Sequence, residues 1–226
     1  MPAKRTRKPT VDVAEAAAPS HAQPPPAPEP QSRFAVTPAL QPRKLAPIYQ
    51  LKVTLQDIAP PIWRRFQVRG DITLYRLHGV LQTIMGWENA HLYDFTIGKT
   101  RFGPHEGEFG RDVKDDARTK LNSVAGVPVK SFTYNYDFGD RWEHEVVVEE
   151  ILPPDNDLVT PVCLAGERAC PPEDCGGTHG YEELLETIAR RTGGARSAGR
   201  AGRGATPFDP EAFDLEAINT RLRQLR

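Results

Sequence analysis

The strongest constraint on this chain is an alternation of apolar and polar side chains on both sides of one tight turn. Residues 132–136 carry an aromatic side chain at every second position before the turn. Residues 142–148 show the same alternation after it, with Trp142 and His144 on the apolar side. A period of two is typical of a β-strand with one buried face, so this segment predicts a β-hairpin.

The chemistry of the two faces restricts the length of the hairpin turn. A two-residue turn would place Tyr136 opposite an acidic residue and would mix aromatic with charged side chains on one face. A three-residue loop of residues 138–140 instead places Tyr136 opposite Trp142. The same register places Tyr134 opposite His144. The sequence therefore predicts an odd-length loop and a buried aromatic face that carries a histidine.

Patterns elsewhere in the chain predict an α+β fold, with a mostly antiparallel sheet and packed helices in a single domain. Alternating or apolar runs predict strands at 48–55, 62–68, 91–97 and 160–164. Apolar stripes at helical spacing predict helices at 74–86, 180–191 and 209–224. Thr73 is expected to cap the first helix. The turn-rich residues 98–129 are expected to form a loop that holds one or two short strands.

The first 46 residues are expected to form a disordered tail in front of a domain that spans 47–226. They contain ten of the 22 prolines and only one aromatic residue, which is too little apolar surface to offset the entropy of ordering. A Gly- and Arg-rich linker at 192–206 is expected to be flexible. The tail begins with a basic cluster of Lys4, Arg5, Arg7 and Lys8. This cluster predicts either weak contact with nucleic acid or a solvated tail.

Charge and composition narrow the classes of function. Residues 47–226 hold 22 basic and 27 acidic side chains, which argues against a broad basic surface for nucleic acid. No apolar run approaches the roughly 18 residues needed to cross a bilayer, and no secretory signal is visible, so a cytoplasmic protein without a membrane partner is expected. The sequence also lacks the phosphate-loop, dinucleotide-binding, zinc-protease and serine-hydrolase motifs.

The three cysteines form a first candidate site. An odd number cannot pair completely within one chain, so thiols or metal ligands are expected. Cys163, Cys170 and Cys175 lie within 13 residues of sequence, with His179 close behind. Three thiols and one imidazole, from His179 or His144, would suit a tetrahedral zinc ion. The alternative is that the thiols fill tight packing, because no C-x-x-C pair is present.

A second candidate site joins the hairpin turn to further histidines. Its members are Asp137, Asp140, Trp142, His144, His78 and His91. An aromatic-walled pocket with these groups would bind a polar ligand or support acid–base chemistry. The alternative is that the aspartates shape the turn and that His144 is a hydrogen-bonded core residue.

Arg64 is a third residue of interest because it shares the apolar face of the second predicted strand. A long cationic side chain in such a place either extends to the rim of the sheet or meets a carboxylate. We expect the rim.

Several short motifs together resemble one protein family. They are Ile62-Trp63-Arg64-Arg65, Leu77-His78 with Gln82, Met85-Gly86-Trp87, His91-Leu92, Tyr136 to Asp140 with Trp142 and His144, Cys170 to Gly177, Gly180-Tyr181, and Phe208-Asp209-Pro210 with Phe213-Asp214. This combination resembles the plasmid pRiA4b ORF-3-like family, from about residue 48 to the C-terminus. The resemblance implies an α+β domain without an assigned catalytic set. Some members carry a transposable-element, resolvase-type name. Arg64, Glu173 and Asp174 are candidate binding residues as motif positions only.

The sequence thus favours a binding or interaction module associated with plasmid or mobile-element proteins. Its ligand is expected where the 137–144 hairpin and the 163–177 segment lie side by side, because both are dense in polar, aromatic and glycine residues. One alternative is a nucleic-acid-associated accessory factor of a transposable element. Another is a metal-dependent enzyme of unknown reaction.

Overall fold

A single sheet of eight strands organises the part of the chain that the computed structural model describes, residues 45–104, 112–193 and 208–225. Its strands are β1 Ile48–Leu55, β2 Trp63–Arg69, β3 Tyr93–Ile97, β4 Thr100–Gly103, β5 Val113–Asp115, β6 Ser131–Tyr136, β7 Trp142–Leu152 and β8 Val162–Glu167. The helices are α1 Leu74–Met85, α2 Leu121–Val124, α3 Gly177–Gly193 and α4 Leu215–Leu222. Within these ranges no helix is both long and apolar enough to span a bilayer.

The sheet is mostly antiparallel, as the sequence predicts. Its order is β5-β4-β3-β6-β7-β1-β2-β8, and only the β4–β5 pair is parallel. The β6–β7 hairpin therefore lies in the middle of the sheet, where both of its strands have partners. With the packed helices, this arrangement confirms the predicted α+β class.

The register of the central hairpin matches the prediction. Tyr136 pairs with Trp142 and Tyr134 pairs with His144. Beyond the last pair, the main-chain N–H of Arg141 donates to the carbonyl oxygen of Asp137 at 2.6 Å and closes the loop. Both of these residues have positive φ angles, 54° for the aspartate and 60° for the arginine. The turn is therefore tight, and the aromatic face continues up to it.

The first helix forms as predicted, whereas the last two differ at their starts. In α1 the Thr73 side chain accepts a hydrogen bond from the Arg76 N–H, and Gly86 ends the helix at a φ of 97°. Helix α3 begins at Gly177, three residues earlier than expected. Helix α4 begins at Leu215 and not at 209. The reason is local, because the Asp214 carboxylate caps α4 by accepting the Ala217 N–H.

Helix α4 also protects an edge of the sheet. The Asn219 side chain accepts the N–H of Cys163 at 2.8 Å and donates to its carbonyl oxygen at 2.9 Å. The Asn219 side chain therefore pairs with the main-chain N–H and C=O groups of one residue of the edge strand β8, as a neighbouring strand would. Less of that edge is then open to pairing with another chain.

The expectation for Arg64 was wrong. Its side chain is buried and does not reach the rim, and it meets no carboxylate among the described residues. It donates to four main-chain carbonyl oxygens, those of Trp63, Ile84, Glu167 and Arg168, at 2.6–2.9 Å. The Phe213 ring lies 4.9 Å from the guanidinium carbon. Arg64 thus ties β2 to the end of α1 and to the chain after β8, which is a structural role.

Candidate functional site

The hairpin turn and the segment before α3 are in direct contact, as expected. The Asp140 carboxylate accepts a hydrogen bond from the Gly176 N–H at 3.0 Å. Gly177 has a φ of 69°, and a Cβ atom there would lie 2.8 Å from the Asp140 carbonyl oxygen. A residue with a side chain would therefore push the two segments apart, so the two glycines allow this close approach.

Tyr136 fixes three segments to one another through its hydroxyl group. The hydroxyl donates to Glu173 Oε1 at 2.9 Å and accepts the Ala90 N–H at 3.0 Å. Burial and the hydrogen bond to the glutamate both raise the pKa of Tyr136, so the hydroxyl stays protonated and can donate. The last residue of β6 thereby connects the hairpin to the loop after α1 and to the segment before α3.

Glu173 uses one oxygen for structure and leaves the other free. Its Oε1 accepts from the Tyr136 hydroxyl and from the Glu88 N–H, both at 2.9 Å. Its Oε2 is inaccessible to solvent and has no hydrogen-bond partner among the described residues. This free oxygen lies 3.8 Å from His91 Nε2.

Asp137 divides its oxygens in the same way. Its Oδ1 accepts the N–H groups of Gly139 and Asp140, at 2.9 and 3.3 Å, and so shapes the turn. Its Oδ2 lies 3.6 Å from His91 Nε2. The side chain is only 9% exposed, so the carboxylate is held in place by the turn that it stabilises.

His91 reaches this position because the loop after α1 is tied down along its length. The Asn89 N–H donates to Gln82 Oε1 at 2.8 Å, and the next N–H binds the Tyr136 hydroxyl. Asn89 also has a positive φ of 57°, a conformation that asparagine tolerates better than most residues. The chain consequently turns back so that the imidazole of His91 faces the hairpin.

Four side chains converge at this point, and we call them the His91 cluster: His91, Asp137, Glu173 and Asp174. The Asp174 Oδ1 atom lies 3.0 Å from His91 Nε2. Despite these short distances, no hydrogen bond of acceptable geometry joins Nε2 to any carboxylate in the described ranges. One ligand atom each from His91, Asp137 and Asp174 lies within 4.8 Å of the other two. Within the described ranges this is the only such group of metal-ligating side chains.

The His91 cluster is strongly acidic. Three carboxylates surround one imidazole, and in the described part of the chain none of the three pairs with a lysine or arginine. Such crowding of like charges is unfavourable unless a cation or a proton offsets it. The cluster is therefore suited to a positively charged ligand.

His78, by contrast, is a buried residue in a closed ring of hydrogen bonds that runs from the core to the exposed Asn89. Gln82 Nε2 donates to the Tyr134 hydroxyl at 2.9 Å, so this hydroxyl donates to His78 Nδ1 at 2.8 Å. His78 Nε2 then donates to Asn89 Oδ1 at 2.6 Å, and the Asn89 N–H closes the ring at Gln82. Burial lowers the pKa of His78 to about 4, so it is neutral at pH 7.

His144 and Trp142 also lie in the core. His144 Nδ1 donates to the Tyr134 carbonyl oxygen at 3.1 Å, and the Trp87 ring packs edge-on at 5.1 Å. Burial lowers the pKa of His144 to about 4. His144 Nε2 and Trp142 Nε1 are buried without a hydrogen-bond partner in the described part of the structure. Neither residue belongs to the His91 cluster.

The cysteines do not converge in the described ranges. Cys163 and Cys170 are buried, Cys175 is half-buried, and the three are not part of a group of ligand atoms within 4.8 Å. Burial raises the pKa of Cys170 to about 12 and that of Cys175 to about 11, so both are thiols at pH 7. His179 is largely exposed beside Glu183. Zinc at these thiols stays a prediction that their arrangement does not support.

Sequence reasoning missed one residue of this region, Tyr136. Its position in the alternation placed it correctly on the aromatic face, but that pattern says nothing about its hydroxyl. The only available signal was the choice of tyrosine over phenylalanine next to a turn, since a buried tyrosine usually finds a hydrogen-bond partner. The basic cluster at residues 4–8 and most of the predicted linker lie outside the described residues.

Comparisons with known proteins agree with this fold. The model of the plasmid pRiA4b ORF-3-like protein family matches residues 47–217. The uncharacterized protein y4hQ of Sinorhizobium fredii (strain NBRC 101917 / NGR234) is 37% identical over 182 residues, which cover 80% of this chain and 93% of that protein. The crystal structure of MM3350 from Methanosarcina mazei Go1, a protein of unknown function, superposes with a TM-score of 0.65 at 34% identity. The matched region covers 77% of this chain and 98% of the MM3350 chain.

The fold and the site together define an α+β protein with a mostly antiparallel sheet, whose central hairpin presents an acidic cluster at its turn. The chain belongs to the plasmid pRiA4b ORF-3-like protein family.

Proposed function

We propose that this protein is a binding module, that the His91 cluster is its ligand site, and that the ligand is a cation. One observation carries the proposal: a single imidazole nitrogen faces oxygens of three carboxylates at 3.0, 3.6 and 3.8 Å without a hydrogen bond to them. An arrangement that served only stability would align an N–H with one oxygen.

The fixed geometry of the cluster supports the same conclusion. Asp137 and Glu173 each have one oxygen held by two hydrogen-bond donors, so the remaining oxygen cannot turn away. A site that is ordered before the ligand arrives loses little entropy on binding. Asp174 lies at the open side of the cluster, with 75% of its side chain exposed, and this is where a ligand can enter.

The charge of the site also argues against nucleic acid as its ligand. Three carboxylates repel phosphate, so nucleic acid is not the ligand of this cluster. Contact of residues 1–46 with nucleic acid remains a separate proposal, tested by a salt-sensitive shift of labelled DNA that disappears when the tail is removed.

A metal-dependent reaction and a cytoplasmic location are further proposals. Three free thiols are consistent with a reducing compartment.

The proposal is tested by thermal unfolding of the full chain with added ligands. Manganese, zinc, spermidine and guanidinium are the cationic probes, and phosphate is the anionic one. A cation at 100 times its dissociation constant stabilises by about 2.7 kcal/mol, which raises the Tm by about 5–10 °C in a chain of this size. Phosphate should have no effect.

A matched pair of substitutions places the effect at the cluster. Asp137→Asn removes the charge but keeps an oxygen for the turn. Asp155→Asn makes the same change in an exposed turn, where Asp155 accepts the Asp157 N–H at 2.8 Å. The first variant should lose the ligand-induced rise in Tm and the second should keep it. The proposal fails if no cation raises the Tm, or if the two variants respond equally.

A further inference from the structure

We infer that the cation bound by the His91 cluster is a divalent metal ion, held by His91 Nε2, Asp137 Oδ2 and Asp174 Oδ1, with Glu173 Oε2 beside them. The inference rests on the proposed function for the position of the site and goes further by naming the ligand class. It also moves the metal prediction from the cysteines to a nitrogen and oxygen site.

The distances from the imidazole nitrogen to the two aspartate oxygens fit a shared metal ion. Two atoms that each lie about 2.1 Å from a metal are about 3.0 Å apart at a right angle and about 3.4 Å apart at a tetrahedral angle. Asp174 Oδ1 and Asp137 Oδ2 lie 3.0 and 3.6 Å from His91 Nε2. A direct charge-assisted hydrogen bond would be about 2.7–2.9 Å long and aligned with the N–H, which none of these contacts is.

Two atoms of the cluster also lack the partners that buried polar atoms normally have. His91 Nε2 and Glu173 Oε2 are both inaccessible to solvent and without a hydrogen bond in the described structure. They lie 3.8 Å apart. Buried polar atoms without partners are rare because each one is unfavourable. A metal ion between the cluster's side chains would satisfy the nitrogen directly and place positive charge next to the oxygen.

The surroundings of the cluster match the outer shell of known metal sites, in which ligating side chains are themselves held by hydrogen bonds. Two N–H groups hold Asp137 Oδ1. The Tyr136 hydroxyl and the Glu88 N–H hold Glu173 Oε1. The oxygens that remain therefore point to the imidazole because the fold positions them.

The type of ligand atoms restricts the metal. One imidazole nitrogen with two or three carboxylate oxygens suits zinc, manganese or iron(II). Magnesium prefers an all-oxygen site and keeps much of its water, so it should bind more weakly. No thiol belongs to the cluster, which excludes a cysteine-rich structural zinc site at this place.

The test is a calorimetric titration of the metal-stripped full chain with zinc and, separately, with manganese. We expect one ion per chain at the cluster. His91→Gln and Asp137→Asn should each weaken binding at least about tenfold. The matched controls His179→Gln and Asp155→Asn change the same residue types at exposed positions and should stay within about twofold of the wild type.

Two further arms show what a different result means. The Tyr136→Phe variant removes only a hydroxyl behind Glu173, and a weakening of about tenfold supports the metal site. Serine substitutions at all three cysteines should leave the binding unchanged. The inference is overturned if neither metal binds with one-to-one stoichiometry, if His91→Gln binds as well as His179→Gln, or if only the serine variant loses metal.

The failure of this inference can be distinguished from the failure of the proposed function. If spermidine or guanidinium raises the Tm through Asp137 and neither metal binds, the cluster is a cation site but not a metal site. If neither the metals nor the organic cations act through Asp137, both conclusions fall. All variants are compared without metal first, so that a loss of binding is not confused with a loss of folding.

Discussion

The core of the central hairpin and the tip of the same hairpin use histidine in opposite ways. In the core, every polar atom of His78 has a partner in a closed ring, and Tyr134 links this ring to His144. At the tip, His91 is surrounded by three carboxylates and hydrogen-bonded to none of them through Nε2. The residue type is the same, but only the second imidazole has a nitrogen that an external ligand can use.

The comparison shows what separates a structural histidine from a candidate ligand. Contact with aromatic rings does not, because His78 on α1, His91 in the loop after α1 and His144 on β7 all have an aromatic neighbour. The groups around the unpartnered nitrogen do separate them: the Nε2 atom of His91 lies beside three carboxylates, one of them largely exposed. The Nε2 atom of His144 also lacks a hydrogen bond among the described residues, but its side chain is fully buried.

The first prediction concerns the loss of folding stability at low pH. The pKa of His78 and of His144 is about 4 in the folded protein and about 6.5 in the unfolded chain, because burial disfavours the charged form. The unfolded chain therefore binds protons first as the pH falls. The stabilising effect is complete above about pH 6.5 and is lost progressively towards pH 4. Each buried histidine should lower the free energy of unfolding by about 2–3 kcal/mol when the pH falls from 7 to 4.5. Urea unfolding at the two pH values measures this loss.

The variant His144→Gln separates this effect from the titration of carboxylates. It removes one of the two core imidazoles and should reduce the loss between pH 7 and pH 4.5 by about 2–3 kcal/mol. Equal slopes for the wild type and the His144 variant would contradict the buried, neutral assignment.

The second prediction compares truncation at the two places. His144→Ala opens a cavity in the centre of the sheet and should cost about 2–4 kcal/mol of unfolding free energy at pH 7. His91→Ala removes a partly exposed ring with no hydrogen bond at Nε2 and should cost no more than about 0.5 kcal/mol without metal. Denaturant titrations of the two variants provide the measurement. A comparable loss at both positions would show that His91 is as structural as His144.

The third prediction uses two tyrosines that sit two residues apart on one strand. Tyr134→Phe leaves the Gln82 donor and the His78 acceptor without a partner in the core, and should cost about 2–3 kcal/mol. Tyr136→Phe affects groups nearer the surface and should cost about 1 kcal/mol. Only the second should weaken zinc binding. Weaker zinc binding in both variants would mean that the core and the tip are coupled.

The fourth and smallest effect is expected at Asp174. Because its carboxylate lies near two others without a basic partner in the described structure, Asp174→Asn should leave the metal-free protein unchanged or stabilise it by about 0.3 kcal/mol at pH 8 and low salt. The gain should disappear at high ionic strength, which screens exposed charges. Unfolding at two salt concentrations measures it. A loss of more than about 1 kcal/mol would mean that Asp174 holds the fold together.

The central hairpin could be predicted from the sequence because its information is local. The alternation determines which residues of β6 and β7 share a face. Only one register then keeps the aromatic side chains on one face and the charged side chains on the other. The start of α1 was equally readable from Thr73, since its cap depends on residues three positions apart. The contact between the turn and the segment before α3 could be expected from their unusual composition, but its atomic detail could not.

Features that depend on distant main-chain atoms carry no sequence signal. Arg64 donates its hydrogen bonds to four main-chain carbonyl oxygens. Every residue type has such an oxygen, so nothing in the sequence identified these partners.

The His91 cluster joins residues that are more than 40 and more than 80 positions apart. His91 and Asp137 were candidates by residue type, whereas Glu173 and Asp174 were candidates only as motif positions of the family resemblance. Which of them would meet depended on the loop after α1 and on the approach allowed by Gly176 and Gly177.

The most direct test of this account is a crystal structure of the full chain grown with zinc, with anomalous scattering recorded at the zinc absorption edge. The account predicts one strong peak about 2.0–2.2 Å from His91 Nε2, Asp137 Oδ2 and Asp174 Oδ1, and none beside His78 or His144. A strong peak at the cysteines, or a His91 cluster without zinc while the ion is bound elsewhere, would contradict it.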